Sequence, residues 1–234
     1  MPPRSALALL RQRDQEAVRT VRFGVLVPWA NTQVETELPR LGLRHCVFHH
    51  ARLVPASRTT ALDATFLHDL HATASQAADS LSRIQLDGTV LACTSAGFTT
   101  ATRQPPGIIT AYDTLCAALK NLRCKHVALA TPYPTNITAA EAAALQRDGF
   151  TVTGQTSLDL ADGYPDITAD VVGGLVAHLG TRALAQADVL VLSCTGWPTL
   201  DSLRHLEHQH GLPVLSSNLA IALYAAHLAA TSGA

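Results

Sequence analysis

Two stretches join an apolar run to a thiol and a cluster of small polar residues. They are Val90-Leu91-Ala92-Cys93-Thr94-Ser95-Ala96-Gly97-Phe98 and Val189-Leu190-Val191-Leu192-Ser193-Cys194-Thr195-Gly196-Trp197. Each apolar run reads as a buried strand, and each cysteine stands where that strand must give way to a loop. A thiolate there is a nucleophile or base, and a thiol is an acid. Backbone N–H groups at the start of a following helix are expected to lower the thiol pKa. With the hydroxyls of Thr94 and Ser95, they form a nest for a carboxylate or an enediolate. A carbanion beside a carboxylate needs such fixed donors, because its charge spreads onto the oxygens. Neither loop contains Arg or Lys, so neutral groups must serve. Matching loops, each reading Cys-Thr, lead to the expectation that the two thiols face each other across one active site.

Three further polar residues fall at expected strand ends: Asn31 after Val27-Pro28, Tyr133 after Pro132, and Asn218 after Ser216-Ser217. Asn31 either bonds a substrate carboxylate or shapes a turn. Tyr133 either donates to an oxyanion or is an amphipathic surface residue, and Asn218 either orients substrate or caps the last helix. Trp29 and Trp197, beside these loops, suggest a bulky or weakly polar pocket. Cys46, Cys116 and Cys124 lie in strand, helix and turn contexts and read as structural. His205 and His208 share a helix face without a third ligand, so no metal is expected. His49 and His50 point to opposite sides of a strand. No Gly-rich dinucleotide or phosphate-loop motif occurs, and no cofactor is expected.

The elements that must position these groups alternate strand and helix. Strands are expected at Arg22–Pro28, Cys46–Leu53, Val90–Ala92, Lys125–Pro132, Phe150–Ser157, Val189–Leu192 and Pro213–Asn218. Helices are expected from Thr32, capped by Thr32 with Glu35 in a capping box, to about Leu41, and over about 61–84, 107–122, 137–147, 169–187, 199–210 and the Ala/Leu-rich end. Residues 158–168 read as a polar loop. Cys93 and Cys194 are 101 positions apart and Pro28 and Pro132 are 104, with the same strand–loop–helix order around them, which indicates internal duplication. The expected fold is α/β: two pseudo-symmetric lobes, each a short parallel sheet flanked by helices, with the site in the cleft between them. The boundaries are a helical arm at 1–20 lying outside the core, a first lobe of 21–118 plus 213–234, and a second lobe of 119–212. Ligands of such sheets bind beyond the carboxyl ends of the strands, where these polar residues fall.

Composition narrows the function. Of 234 residues, 47% are hydrophobic and 15% charged, which suits a well-buried globular protein rather than a disordered one. Net charge is −1 and the 17 basic residues are scattered, so neither nucleic acid nor an anionic membrane is an expected partner. No apolar run reaches the roughly 18–20 residues of a membrane span. Ala6–Leu10 is followed at once by charges and reads as a helical arm rather than a signal peptide. Five cysteines without close pairing favour free thiols and a cytoplasmic setting. The Ala/Leu-rich helical exterior leaves room for a homodimer.

The motifs Val27-Pro28-x-x-Asn31-Thr32, Cys93-Thr94-Ser95, Ala130-Thr131-Pro132-Tyr133, Leu192-Ser193-Cys194-x-Gly196 and Pro213-Val214-x-Ser216-Ser217-Asn218 span nearly the whole chain. In them the sequence resembles the aspartate/glutamate racemase superfamily, and within it the maleate cis–trans isomerase and arylmalonate decarboxylase branch. The resemblance implies cofactor-independent chemistry on a small carboxylate. Decarboxylases of this branch keep only the second cysteine; two cysteines with a Cys-Thr-Ser loop look most like maleate isomerase. By that resemblance Cys93 is the nucleophile that adds to the alkene, and Cys194 gives or takes a proton at the other face. Asn31, Tyr133 and Asn218 hold carboxylates, and Thr94, Ser95, Thr195 and Gly196 add hydrogen bonds. A two-cysteine racemase, a malonate decarboxylase and a non-catalytic carboxylate-binding protein are the alternatives.

Overall fold

The apolar runs fold as parallel strands in two sheets. In the computed structural model, which describes residues 5–99 and 105–231, the first sheet contains β1 (Val21–Pro28), β2 (Cys46–Leu53), β3 (Gly88–Leu91) and β4 (Ile108–Thr110). The second contains β5 (His126–Thr131), β6 (Thr151–Ser157), β7 (Val189–Leu192) and β8 (Val214–Ser216). Their orders, β2-β1-β3-β4 and β6-β5-β7-β8, are the same arrangement used twice. All pairings are parallel, as in Val25↔Val90 of the first sheet and Leu129↔Val191 of the second. The central strands β1 and β7 are buried at every position except Arg22. Strands covered on both faces by helices need such continuous apolar runs, which is why β1 and β7 are legible in the sequence.

Helices α1 (Ala6–Gln15), α2 (Gln33–Arg40), α3 (Ala64–Ser80), α4 (Ser95–Phe98), α5 (Ala111–Asn121), α6 (Thr135–Arg147), α7 (Ala169–Ala177), α8 (Gly180–Ala185), α9 (Leu200–His210) and α10 (Ser217–Ala230) fill the connections. Local chemistry sets several starts. Asp63 accepts from Phe66 N to cap α3, and Thr110 and Asp113 form a capping box on α5. Among the described residues, no helix is long and apolar enough to cross a membrane.

Several expectations change. Ile108–Thr110, read as helix, is the edge strand β4; the capping box at Thr110 begins the helix only afterwards. The single helix expected to 187 breaks into α7 and α8 around Gly180, whose φ of 75° lies in the left-handed region. Thr32 makes no side-chain cap on α2. Asn31 does so, its Oδ1 accepting from Gln33 N at 2.9 Å and Val34 N at 3.2 Å, while Glu35 pairs with Arg52. The first twenty residues do not all lie outside the core: α1 buries Ala6, Leu9 and Leu10 and packs on α10. β8 pairs with β7 and so joins the second sheet, whereas α10, which follows it directly, packs on α1, α5 and β1. The expected boundary at 213 therefore falls on the wrong side of β8. The Ala/Leu surface of α10 is consumed inside the chain rather than left as an exterior.

One buried carboxylate joins three helices. Glu37 of α2, 2% exposed, reaches the start of α9 and accepts from Thr199 N at 2.5 Å, Leu200 N at 2.7 Å and Thr199 Oγ1 at 3.1 Å. It also accepts from Asn218 Nδ2 of α10 at 2.8 Å. A carboxylate at a helix N-terminus satisfies donors that have no partner within the helix. Truncating it would leave three donors at the start of α9 without their partner at once and Asn218 Nδ2 with only Thr195 O. Glu37→Ala is expected to destabilise the fold by about 3 kcal/mol or more, read as a lowered urea midpoint at unchanged slope. A loss below about 1 kcal/mol would show that water replaces the carboxylate readily.

Candidate active site

The carboxyl ends of both sheets meet around a cavity of about 320 Å³, at the small end of the range for ligand sites. Cys93 follows β3 and Cys194 follows β7, and both line this cavity. Asn31, Thr94, Ser95, Tyr133, Thr195 and Gly196 line it too, so eight of the residues anticipated from the sequence come together there. Asn218 does not. It lies beneath the second cysteine loop, its amide nitrogen donating to Glu37 and to Thr195 O at 3.2 Å. As the second residue of α10, it supports that loop through its amide nitrogen.

The two cysteine loops are bonded directly to each other. Thr195 Oγ1 donates to Ala92 O at 2.7 Å and accepts from Asn31 Nδ2 at 3.0 Å. Ser217, the first residue of α10, accepts from Thr94 Oγ1 at 2.9 Å and from Cys194 N at 3.1 Å. One hydroxyl thus holds both loops in register. Sequence reasoning passed over Ser217 in favour of its neighbour Asn218; the signal was the pair of serines at a strand-to-helix junction. Asn31, with Oδ1 on α2 and Nδ2 on Thr195, has one N–H left for a ligand.

Each sulfur has its own donors. Cys93 Sγ and Ser95 Oγ share a hydrogen bond at 3.3 Å, and the N–H groups of Ser95 and Ala96 also act on this sulfur. Cys194 Sγ accepts from Gly196 N at 3.2 Å and from the Tyr133 hydroxyl. The expectation of lowered thiol pKa values is nonetheless overturned. Burial pushes the Cys93 thiol up despite these bonds, and pushes Cys194 up to about 12, with the nearby Cys93 adding repulsion. Desolvation of a thiolate outweighs a few neutral donors. Burial likewise holds Tyr133 well above the usual tyrosine range, so its hydroxyl remains a donor. Glu141 of α6, fully buried, accepts from Ser193 Oγ at 2.5 Å, and burial raises its carboxyl to about 8. At neutral pH it therefore places no full negative charge behind Cys194.

Backbone geometry also separates the two thiols. Cys194 has φ of 122°, a conformation that side-chain-bearing residues rarely adopt and that costs on the order of 1–3 kcal/mol. The Ser217 bond to its N–H helps to hold it there. In the first loop the constraint falls on Gly97, where a Cβ would meet Thr110 Oγ1 at 2.2 Å and Tyr112 Cβ at 2.6 Å. Only glycine lets α4 sit this close to the start of α5, and α4 carries the N–H groups aimed at Cys93.

The rest of the wall is mostly apolar: Pro28, Ala30, Leu62, Phe66, Tyr164 and Pro165. Leu62 comes from the β2–α3 connection, Phe66 from the first turn of α3 and Tyr164 from the segment after β6, contacts between distant segments that no local pattern announces. Tyr164 packs edge-on against Tyr133, with ring centroids 6.1 Å apart. Trp29 and Trp197 do not line the cavity: Trp29 Nε1 donates to Thr59 O at 3.0 Å, and Trp197 is wholly buried in the core. Cys46, Cys116 and Cys124 lie elsewhere, and all five thiols are free. Among the described residues no cluster of His, Cys, Asp or Glu is arranged to hold a metal.

Comparison with known proteins agrees with this architecture. Maleate isomerase from Nocardia farcinica is 26% identical over 216 residues, covering 84% of this chain and 85% of that protein. Arylmalonate decarboxylase from Bordetella bronchiseptica is 32% identical over 129 residues, 53% of each chain. A structure of the Nocardia farcinica maleate cis–trans isomerase, a cysteine-to-serine mutant with a covalently bound succinylcysteine intermediate, superposes with a TM-score of 0.76. It is 25% identical and covers 87% of this chain and 90% of that one. Residues 85–233 match the arylmalonate decarboxylase family model. With two equivalent parallel sheets converging on a shared cavity, the chain belongs to the arylmalonate decarboxylase family, in the maleate isomerase and arylmalonate decarboxylase branch of the aspartate/glutamate racemase-like proteins.

Proposed function

We propose that this protein is an enzyme, a cofactor-independent cis–trans isomerase of a small unsaturated acid of the maleate-to-fumarate type. The observation that carries the reading is the placement of Cys93 and Cys194 on one cavity, each with its own set of neutral donors. In this reading the Cys93 thiolate adds to one alkene carbon, and the electron pair moves onto the neighbouring carboxylate as an enediolate. The Ser95 hydroxyl and the N–H groups of this loop hold that charge, while the Thr94 hydroxyl, spent on Ser217, fixes the loop in place. Cys194 protonates the adjacent carbon, and the former double bond is then free to rotate. Removal of the proton by the Cys194 thiolate expels Cys93 and leaves the trans acid, with no net change in oxidation state. The succinylcysteine reported for the Nocardia farcinica relative supports the covalent step, because addition of a thiol across maleate gives that adduct.

The raised pKa values support a protonation sequence. Cys194, pushed up to about 12, rests as the acid, and Tyr133, held above its usual range, stabilises the thiolate that appears when the proton leaves. Cys93 must lose its proton against the cost of burial. The same two-thiol placement suits a racemase, which would exchange the α-hydrogen of a chiral acid with solvent rather than isomerise an alkene.

Incubation with maleate, followed by proton NMR, is expected to yield fumarate. Cys93→Ala should reduce turnover to background. Cys194→Ser should slow it by about 10²–10⁴-fold and accumulate a protein mass increased by one substrate molecule. Unchanged turnover in Cys93→Ala would remove the mechanism. Incorporation of solvent deuterium into a chiral acid, without any alkene isomerised, would favour the racemase.

A pH dependence follows from the raised Cys93 thiol. Below its pKa the thiolate fraction grows about tenfold per pH unit, and kcat/KM reports the free enzyme. Thus kcat/KM is expected to climb with that slope from pH 6 to about pH 9 without levelling. A plateau beginning near neutrality would mean that the thiolate is the resting state.

A further inference from the structure

The cavity has two chemically different ends. One carries the cysteine loops with their hydroxyl and N–H donors. The other is walled by Leu62, Phe66, Tyr164 and Pro165 and contains one charged group, Asp162. Asp162 lies in the turn after β6, and Thr60, from the β2–α3 connection, donates to its Oδ2 at 3.1 Å. Beside this bond Leu62 N donates to Ala161 O at 3.1 Å, so two connections from different sheets close this end together. Asp162 Oδ1 accepts no hydrogen bond from the described residues. Among those residues the cavity wall has no Lys, Arg or His to balance the carboxylate. Arg52, at the end of β2, is spent on the carbonyls of Trp29 and Asn31 and on Glu35. Tyr164, two residues on from Asp162, packs against Tyr133 and lies beside Gly196 of the second cysteine loop, and all of them line the same cavity.

A substrate with one carboxylate in the cysteine loops extends its far end toward Asp162. A second carboxylate there meets the like charge of Asp162, which is exposed and so partly screened by solvent, with no cation in the cavity wall to offset it. An ammonium would pair with Asp162 but must be stripped of water against Leu62, Phe66 and Pro165. A neutral N–H or O–H donor satisfies Asp162 Oδ1 with the smallest desolvation. We infer that the substrate is a cis-unsaturated monocarboxylate whose distal group is a neutral hydrogen-bond donor, such as a carboxamide, read by Asp162. The inference rests on the isomerase reading and deepens it, naming the far end of the substrate that Cys93 would attack.

The test uses binding as well as turnover, so that the two ideas fail separately. Maleate and its half-amide, maleamate, are titrated calorimetrically into Cys93→Ala protein with Asp162 intact and with Asp162→Asn added. Asp162 is exposed, and Asp-to-Asn keeps its shape, so the fold should be unaffected. The half-amide is expected to bind at least tenfold more tightly than maleate. Asp162→Asn should strengthen maleate at least tenfold while weakening or sparing the half-amide. With wild-type protein, NMR should show maleamate converted to its trans isomer at a kcat/KM at least tenfold above that for maleate. Equal or tighter binding of maleate, no binding of either acid, or equal effects of Asp162→Asn on both would overturn the assignment of Asp162. Preferential binding of the half-amide with no isomerisation in wild-type protein would instead retain that assignment and remove the isomerase reading.

Discussion

Two polar loops buried against each other satisfy one another's hydrogen bonds, because a buried donor or acceptor left unpaired is costly. That constraint organises the site. The Thr195 hydroxyl donates to the Ala92 carbonyl across the gap, and the Ser217 hydroxyl serves Thr94 and the Cys194 amide together. Either bond lost would leave buried groups unpaired at a cost of about 1–3 kcal/mol each. The pairing also specifies how one sheet meets the other. It therefore brings the two sulfurs onto one cavity instead of leaving each at the end of its own sheet.

The same burial sets the chemistry. Neutral donors surround both sulfurs, yet burial pushes both thiols up, and Glu141 behind Cys194 is raised as well. Around the two sulfurs the resting site avoids negative charge. This suits a reaction in which charge arises only after a substrate binds, first on a thiolate and then on carboxylate oxygens already faced by fixed donors. The strain at Cys194, with φ of 122°, fits the same picture of a side chain held in position by its surroundings.

The duplication divides labour rather than repeating it. Equivalent strands deliver equivalent Cys-Thr pairs, but the threonines do different work: Thr94 bonds to α10, whereas Thr195 bonds across to the opposite loop. Glycine is required in one loop and strained cysteine is tolerated in the other. The helix α10 follows a strand of the second sheet and packs on helices of the first, so its N-terminal residues are placed to serve both. Glu37 reinforces that junction from the opposite side by joining α2, α9 and α10.

Chain order alone determined the alternation of strand and helix, the twofold use of one arrangement, and the location of Cys93, Cys194, Asn31 and Tyr133 at strand carboxyl ends. Continuous apolar strands and small polar loops are local patterns, and parallel sheets place their loops on one side. Only the tertiary structure decided what those loops touch. It moved Asn218 beneath the site and brought forward Ser217; it replaced the tryptophans with Leu62, Phe66 and Tyr164; and it cut β4 from a segment with a helical pattern. It also reversed the direction expected for the thiols. Hydrogen-bond donors can be read from a loop's residues, but desolvation depends on everything packed around that loop. Those neighbours come from segments scores of residues away, so their effect on a thiol appears only once the chain has closed around it.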